Sequence, residues 1–150
     1  MKSAVLSLLS ALCGTFGFSV LFGVRPRRLP WTVLCGGLTW GVYLLTASLG
    51  TLAANAAAAF CMTLCSEIAA RRQRAPVITF LTPAAVVLVP GGTLYYTLSS
   101  LLAKNYRAAG SYALLTADAC LGIAGGILLA SLCVTLALHL LPLLSRSGKR

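Results

Sequence analysis

The residues of this chain that could do acid–base or metal chemistry are few. Glu67 and Asp118 are its only acids and His139 its only histidine, among 150 residues of which 59% are hydrophobic. A Ser-His-Asp set, an acid–base pair or a metal cluster needs more convergent groups than these. The stretch "PGGTLYY" (90–96) lacks the lysine and the spacing of a phosphate-binding loop. The six cysteines (Cys13, Cys35, Cys61, Cys65, Cys120, Cys133) all fall in apolar runs. They read as small buried hydrophobes, not as a disulfide framework or a metal site. The sequence predicts no enzyme, no cofactor and no metal.

What it does contain is backbone that could bind. Pro76, Pro83 and Pro90 recur every seven residues, and Gly91-Gly92 follows the last of them inside an apolar stretch. An unbroken helix over 76–103 would run about 42 Å, against roughly 30 Å of hydrocarbon in a bilayer. Each interior proline also removes one helical hydrogen bond. The spacing therefore predicts a helix interrupted at Pro90-Gly91-Gly92. Backbone groups freed at membrane depth must be buried in protein or line a wet cavity. The N-terminal end of a second half-helix would offer N–H groups and positive dipole to an anion. The expected substrate pathway is Pro90, Gly91, Gly92 and Thr93 with the polar heads of Tyr95 and Tyr96, joined by Asn55 from the span before. Its expected guest is a small carboxylate-bearing molecule. A proline kink satisfied by neighbouring helices is the plainer alternative.

The two acids are the candidates for proton coupling. An aspartate such as Asp118 costs about 2.5–3.5 kcal/mol near the centre of a span, so it is expected to face the protein interior or a cavity. Glu67 precedes Arg71 by four residues, the spacing of a local helical ion pair.

These residues need spans to carry them. Charged residues make up 9% of the chain, against about 25% in soluble domains. Such a chain cannot clothe a water-facing surface, which makes the lipid bilayer its solvent. Apolar runs place spans at about 3–24, 30–49, 51–70, 76–103 and 111–144. The expected fold is all-α: a single integral membrane domain over 1–150 with about five transmembrane helices, the fourth interrupted. The first run is too long for a signal-peptide core and reads as a retained span. Gly37-xxx-Gly41 and Gly122-xxx-Gly126 are small-residue faces that let helices approach closely.

The net charge of +10 comes from short clusters at the span ends, Arg25 to Arg28, Arg71 to Arg74 and Arg146 to Arg150. This is positive-inside patterning and leaves no basic groove for nucleic acid. With the N-terminus outside and the C-terminus cytoplasmic, nine Lys and Arg lie inside and three outside.

Two stretches carry a family resemblance. "GFSVLFGVRPRRLPWTVLCGGLTWGVYLL" (17–45) and "SEIAARRQRAPVITFLTPAAVVLVPGGTLYYTL" (66–98) resemble the threonine/serine exporter family. The likeness is to its C-terminal half, which also occurs as a separate small subunit. The resemblance implies a secondary transporter of the bacterial cytoplasmic (inner) membrane. It would export threonine and serine by antiport with protons, as half of a two-part assembly with a larger membrane subunit of the same family. Small dicarboxylates such as succinate are an alternative cargo, and a higher oligomer remains open. Motif positions carried over are Glu67, Arg71, Arg72, Pro76, Pro83, Pro90, Gly91 and Tyr95; Arg74 belongs to the same loop motif. A small homodimeric multidrug exporter fits less well, because the first span has no acid. A non-transporting assembly factor would use the kinks and small faces for packing alone.

Accessibility labelling of cysteines introduced at positions 74, 105 and 148 tests the topology. Positions 74 and 148 are expected on one side of the membrane and 105 on the other.

Overall fold

A computed structural model of the chain describes residues 2–147, with side chains for 4–139. Its elements are α1 (Lys2–Leu21), α2 (Leu29–Thr46), α3 (Thr51–Gln73), α4 (Ile78–Ala85), α5 (Gly91–Leu102) and α6 (Tyr106–Ser147). Short 3₁₀ turns extend α2 through Leu49 and α4 through Leu88. No strand occurs among the described residues. Four segments are long and apolar enough to cross a membrane: Ala4–Leu21, Leu29–Leu49, Thr51–Gln73 and Tyr106–His139. The bent pair Ile78–Leu88 and Gly91–Leu102 stands fourth in chain order; its halves meet at 48°, and taken as one broken span it brings the number to five.

The side-chain distribution suits a lipid solvent. The core is built of small residues, with Ala58, Ala59, Ala69 and Ala84 around Cys35, Met62 and Phe80. Large hydrophobics such as Leu45, Leu102 and Leu114 point outward. Most buried hydroxyls close on their own helices, Ser66 being left without a partner among the described residues: Thr15 donates to the Ala11 carbonyl at 2.8 Å and Thr39 to that of Cys35 at 2.7 Å. This satisfies them without water.

Helix α3 is the centre of the bundle. It packs against α2 and α4, and most extensively against α6. A Cβ at Gly122 would strike the Leu52 carbonyl oxygen, and one at Gly126 that of Ala56. Residues one turn apart on α6 thus meet residues one turn apart on α3 in the same order, so the two helices run parallel. Of the other small-residue face, Gly37 meets Leu12 of α1, whereas Gly41 meets nothing within 4 Å. The tightest approach there is made by Gly36, whose missing side chain admits Thr15.

The α2–α3 reversal turns on Gly50, at φ 97°, a conformation that L side chains avoid. The arginine clusters of the two loops at the other end come together. The Arg72 guanidinium lies 5.8 Å from the centre of the Trp31 ring, and Gln73 shares a hollow with Arg25, Arg27 and Arg28. The side chains of the third cluster, Arg146 to Arg150, lie outside the described residues. Helix α6 is 42 residues long, about 63 Å at 1.5 Å per residue, and so exceeds the expected span at both ends. Its first turns carry α5, which packs on α6 and has no buried residue.

Gly126→Leu is expected to destabilise the isolated chain by about 1–3 kcal/mol, because the new side chain meets fixed backbone. Gly125→Leu, placed where an added Cβ meets nothing within 4 Å, is expected to leave it unchanged. Thermal unfolding of both variants in detergent checks this.

Candidate functional site

The interruption of the fourth span begins in its first half. Pro83 is buried inside α4 and has no N–H to give the carbonyl of Thr79. Pro76 is exposed before the helix begins, so the seven-residue proline spacing does not form one continuous face. After the 3₁₀ turn the chain leaves helical geometry at Val89 (ψ 123°) and Pro90 (ψ 54°). Helix resumes at once, with Gly91 and Gly92 as the first turn of α5. The break therefore lies at Val89–Pro90, and the glycines are wound where the sequence expectation had them loosened. Proline at the N-cap supplies the break, and a following glycine pair can still wind because the helix only has to start there.

The break is sparsely bonded. The Gly91 N–H donates to the Val89 carbonyl at 2.8 Å and the Leu94 N–H to that of Pro90 at 3.1 Å. The Thr93 hydroxyl donates to the Pro90 carbonyl at 3.1 Å and accepts from the Thr116 hydroxyl at 2.8 Å, which ties α5 to α6. No side chain caps the N-terminus of α5.

Beside the break is a cavity of about 230 Å³. Its walls are Val87 to Thr93 from the break, Trp40 and Tyr43 from α2, Thr51 and Asn55 from α3, and Leu115 and Ala119 from α6. Thr51 is the first residue of α3, whose N-terminus is also uncapped by any side chain. Two helix N-termini thus border one hollow, and each brings orphan N–H groups and partial positive charge. Asn55 is 4% exposed, and its amide nitrogen donates to the Thr51 carbonyl at 2.8 Å. That bond leaves the amide oxygen as an acceptor. The Trp40 indole stacks on Tyr43 at 4.9 Å, and its Nε1 is buried with no partner among the described residues. A buried donor without an acceptor costs roughly 1–3 kcal/mol, and this one belongs to a side chain of the cavity wall. The arrangement can hold a small anion and offer a neutral acceptor beside it.

The structure brings Asn55, Pro90, Gly91, Gly92 and Thr93 together around this hollow. Tyr95 and Tyr96 do not line it. They are 66% and 53% exposed, and Tyr96 packs on Tyr112 at 5.4 Å between ring centres. Asp118 comes just before Ala119 on α6 but is exposed and makes no hydrogen bond among the described residues, where the sequence expectation had it facing inward. The cause is rotational: α6 turns Ala119 and Gly122 toward the bundle, and a neighbour 100° away cannot share that face. Glu67 pairs with Arg71 at 3.5 Å, with half of the arginine side chain exposed. Arg71, Arg74 and Pro76 surround a shallow hollow with Glu67 at the arginine end, far along α3 from the cavity. Arg74 closes α3 in left-handed conformation at φ 46°.

Sequence reasoning missed Trp40, Tyr43 and Thr51. Trp40 and Tyr43 are three residues apart and so share a helix face, a signal that was legible. That their face meets Pro90 was not.

A family model described as "Threonine/Serine exporter, ThrE" matches residues 7–133. The chain belongs to the threonine/serine exporter family. No curated protein and no solved structure matches it. The matched region contains the whole cavity and both halves of the bent span, so the geometry above belongs to a membrane export protein.

Gly91→Leu is expected to abolish export without preventing insertion, because an added Cβ meets no neighbour within 4 Å and the fold has room for it. Trp40→Phe keeps the ring but removes the donor; losing a hydrogen bond to a charged group, about 1.5–3 kcal/mol, raises KM at least about tenfold. Efflux kinetics in proteoliposomes read both.

Proposed function

We propose that this chain is the small subunit of a secondary transporter that exports threonine and serine, with its cargo held in the cavity at the break. The observation that carries this reading is the convergence of two uncapped helix N-termini, at Thr51 and Gly91, on a hollow walled in part by Trp40, whose Nε1 is buried without a partner among the described residues. A carboxylate fits the N-termini and the indole N–H. The ammonium of the amino acid finds the Asn55 oxygen and the carbonyls of the break. The side chain of threonine needs no more room than about 230 Å³ provides.

Asp118 is the proposed coupling residue, and a larger membrane subunit of the same family is the proposed partner. Asp118 lies in the apolar stretch Tyr106–His139, twelve residues into α6, with its side chain exposed on this chain. A carboxylate in hydrocarbon is costly unless protein or a water-filled cavity meets it. A partner packed on α5 and the first half of α6 supplies that cover and completes the pathway wall. The assembly is read as multi-pass in the bacterial cytoplasmic membrane, N-terminus outside and C-terminus cytoplasmic, on the distribution of its arginines. Glu67 is read as a local ion pair rather than a coupling group.

One observation favours a second cargo. Two N-termini at one cavity suit two carboxylates as well as one, which keeps small dicarboxylates such as succinate beside the amino acids.

Reconstitution of the chain with and without its larger partner, followed by labelled threonine and labelled succinate efflux, tests the reading. Threonine efflux is expected only with both subunits. Absence of flux for either cargo with the partner present, together with no binding, would overturn transport through this site. Asp118→Asn is expected to flatten the pH dependence of efflux; an unchanged profile returns Asp118 to packing.

A further inference from the structure

A second hollow, of about 610 Å³, opens at the arginine end between the α1–α2 loop and the start of α4. Arg25 and Arg28 line it from the loop, and Thr79 and Thr82 line it from α4. Neither arginine meets a carboxylate among the described residues. The chain has two acids, of which Glu67 is taken by Arg71 and Asp118 lies on α6. Hydroxyls elsewhere in the bundle, such as those of Thr39, Thr63 and Thr97, donate to the carbonyl one turn back. Those of Thr79 and Thr82 have no such bond among the described residues and stay free to bind a guest. Two guanidiniums and two hydroxyls form a donor set suited to a phosphate, with the planar fork of each arginine able to take two oxygens.

The same hollow has an apolar flank. Phe22 and Ile78 line it and are 50% and 65% exposed, at the ends of two membrane segments. A fully soluble anion gains nothing from them, whereas an acyl chain beside a phosphate does. We propose that this crevice binds the phosphate head group of an anionic membrane lipid, with the glycerol backbone and the first acyl carbons lying over Phe22 and Ile78. Basic pockets at helix ends recognise lipid head groups in this way. The site is separate from the cavity at Pro90 and independent of what the protein exports.

The test uses the full chain in phosphatidylcholine nanodiscs with increasing phosphatidylglycerol, read by native mass spectrometry for retained lipid. Wild type is expected to retain phosphatidylglycerol. Arg25→Gln with Arg28→Gln is expected to lower its affinity at least about tenfold, since each lost bond to a charged group costs about 1.5–3 kcal/mol. Lys104→Gln with Arg107→Gln likewise removes two charges, at the far end of the bundle, and is expected to do nothing. Ile78→Gln keeps both arginines, so it serves if the double variant does not fold, and it too is expected to weaken retention. Equal losses from the Lys104/Arg107 and the Arg25/Arg28 variants would reduce the effect to bulk charge and overturn the site. Glycerol phosphate displacing the lipid at similar concentration would overturn the lipid assignment in favour of a soluble phosphate.

Discussion

The backbone in hydrocarbon has no water to fall back on. Every N–H and C=O that leaves a helical ladder must find protein or a wet cavity, at a cost of several kcal/mol if it finds neither. Pro90 breaks the ladder of the fourth span, and the geometry around it follows from that demand. Trp40 and Tyr43 come from α2, Thr51 and Asn55 from α3, and Leu115 and Ala119 from α6 to enclose the break. The short bond from Gly91 to Val89 and the hydroxyl of Thr93 take up part of the deficit. The remainder, the uncapped first turns of α3 and α5, gives the hollow its capacity to attract an anion.

That enclosure depends on how closely α3 and α6 lie. Between helices in lipid there is little hydrophobic gain from association, so contact area and close approach hold them. Gly122 and Gly126 let the α6 backbone rest on the carbonyls of Leu52 and Ala56, and the alanines of α3 continue the same smooth face. This seat fixes the N-terminus of α3 at the height of Ala119. Hence Thr51 meets the break at Pro90 and does not stop short of it. The hydroxyl bridge between Thr93 and Thr116 sets α5 against the same helix. One parallel helix pair thus places both N-termini of the cavity.

The outer face of α5 and α6 is built differently. Helix α5 buries no residue, and Asp118 lies exposed within an apolar stretch. Ser111, Asp118 and Gly125 follow one another at seven-residue intervals, close to two helical turns, and so share a stripe. A stripe of hydroxyl, carboxylate and bare backbone is poorly matched to acyl chains. The two-part reading of the transporter rests on that mismatch.

The sequence alone determined the solvent, the helical class and the spans. With so few charges, and those gathered between apolar runs of about twenty residues, the backbone is satisfied within helices, since a barrel would show short alternating segments instead. α1, α2 and α3 lie within a few residues of the expected limits. The proline and glycine spacing located the interruption to within a residue or two, because proline's missing donor is a property of one position. Helical rotation and neighbour choice were beyond it. Tyr95 and Tyr96 follow the break in sequence but turn away from the hollow, and Asp118 turns outward, because the packing of α6 on α3 sets the rotation of each helix. Gly36 rather than Gly41 took the close contact with α1, since both lie on possible faces and only Thr15 decides between them. Trp40, some fifty residues before Pro90 in the chain, became part of the site only through tertiary contact. Local periodicity says which residues share a helix face; which face meets which is fixed by the summed fit of all the helices at once.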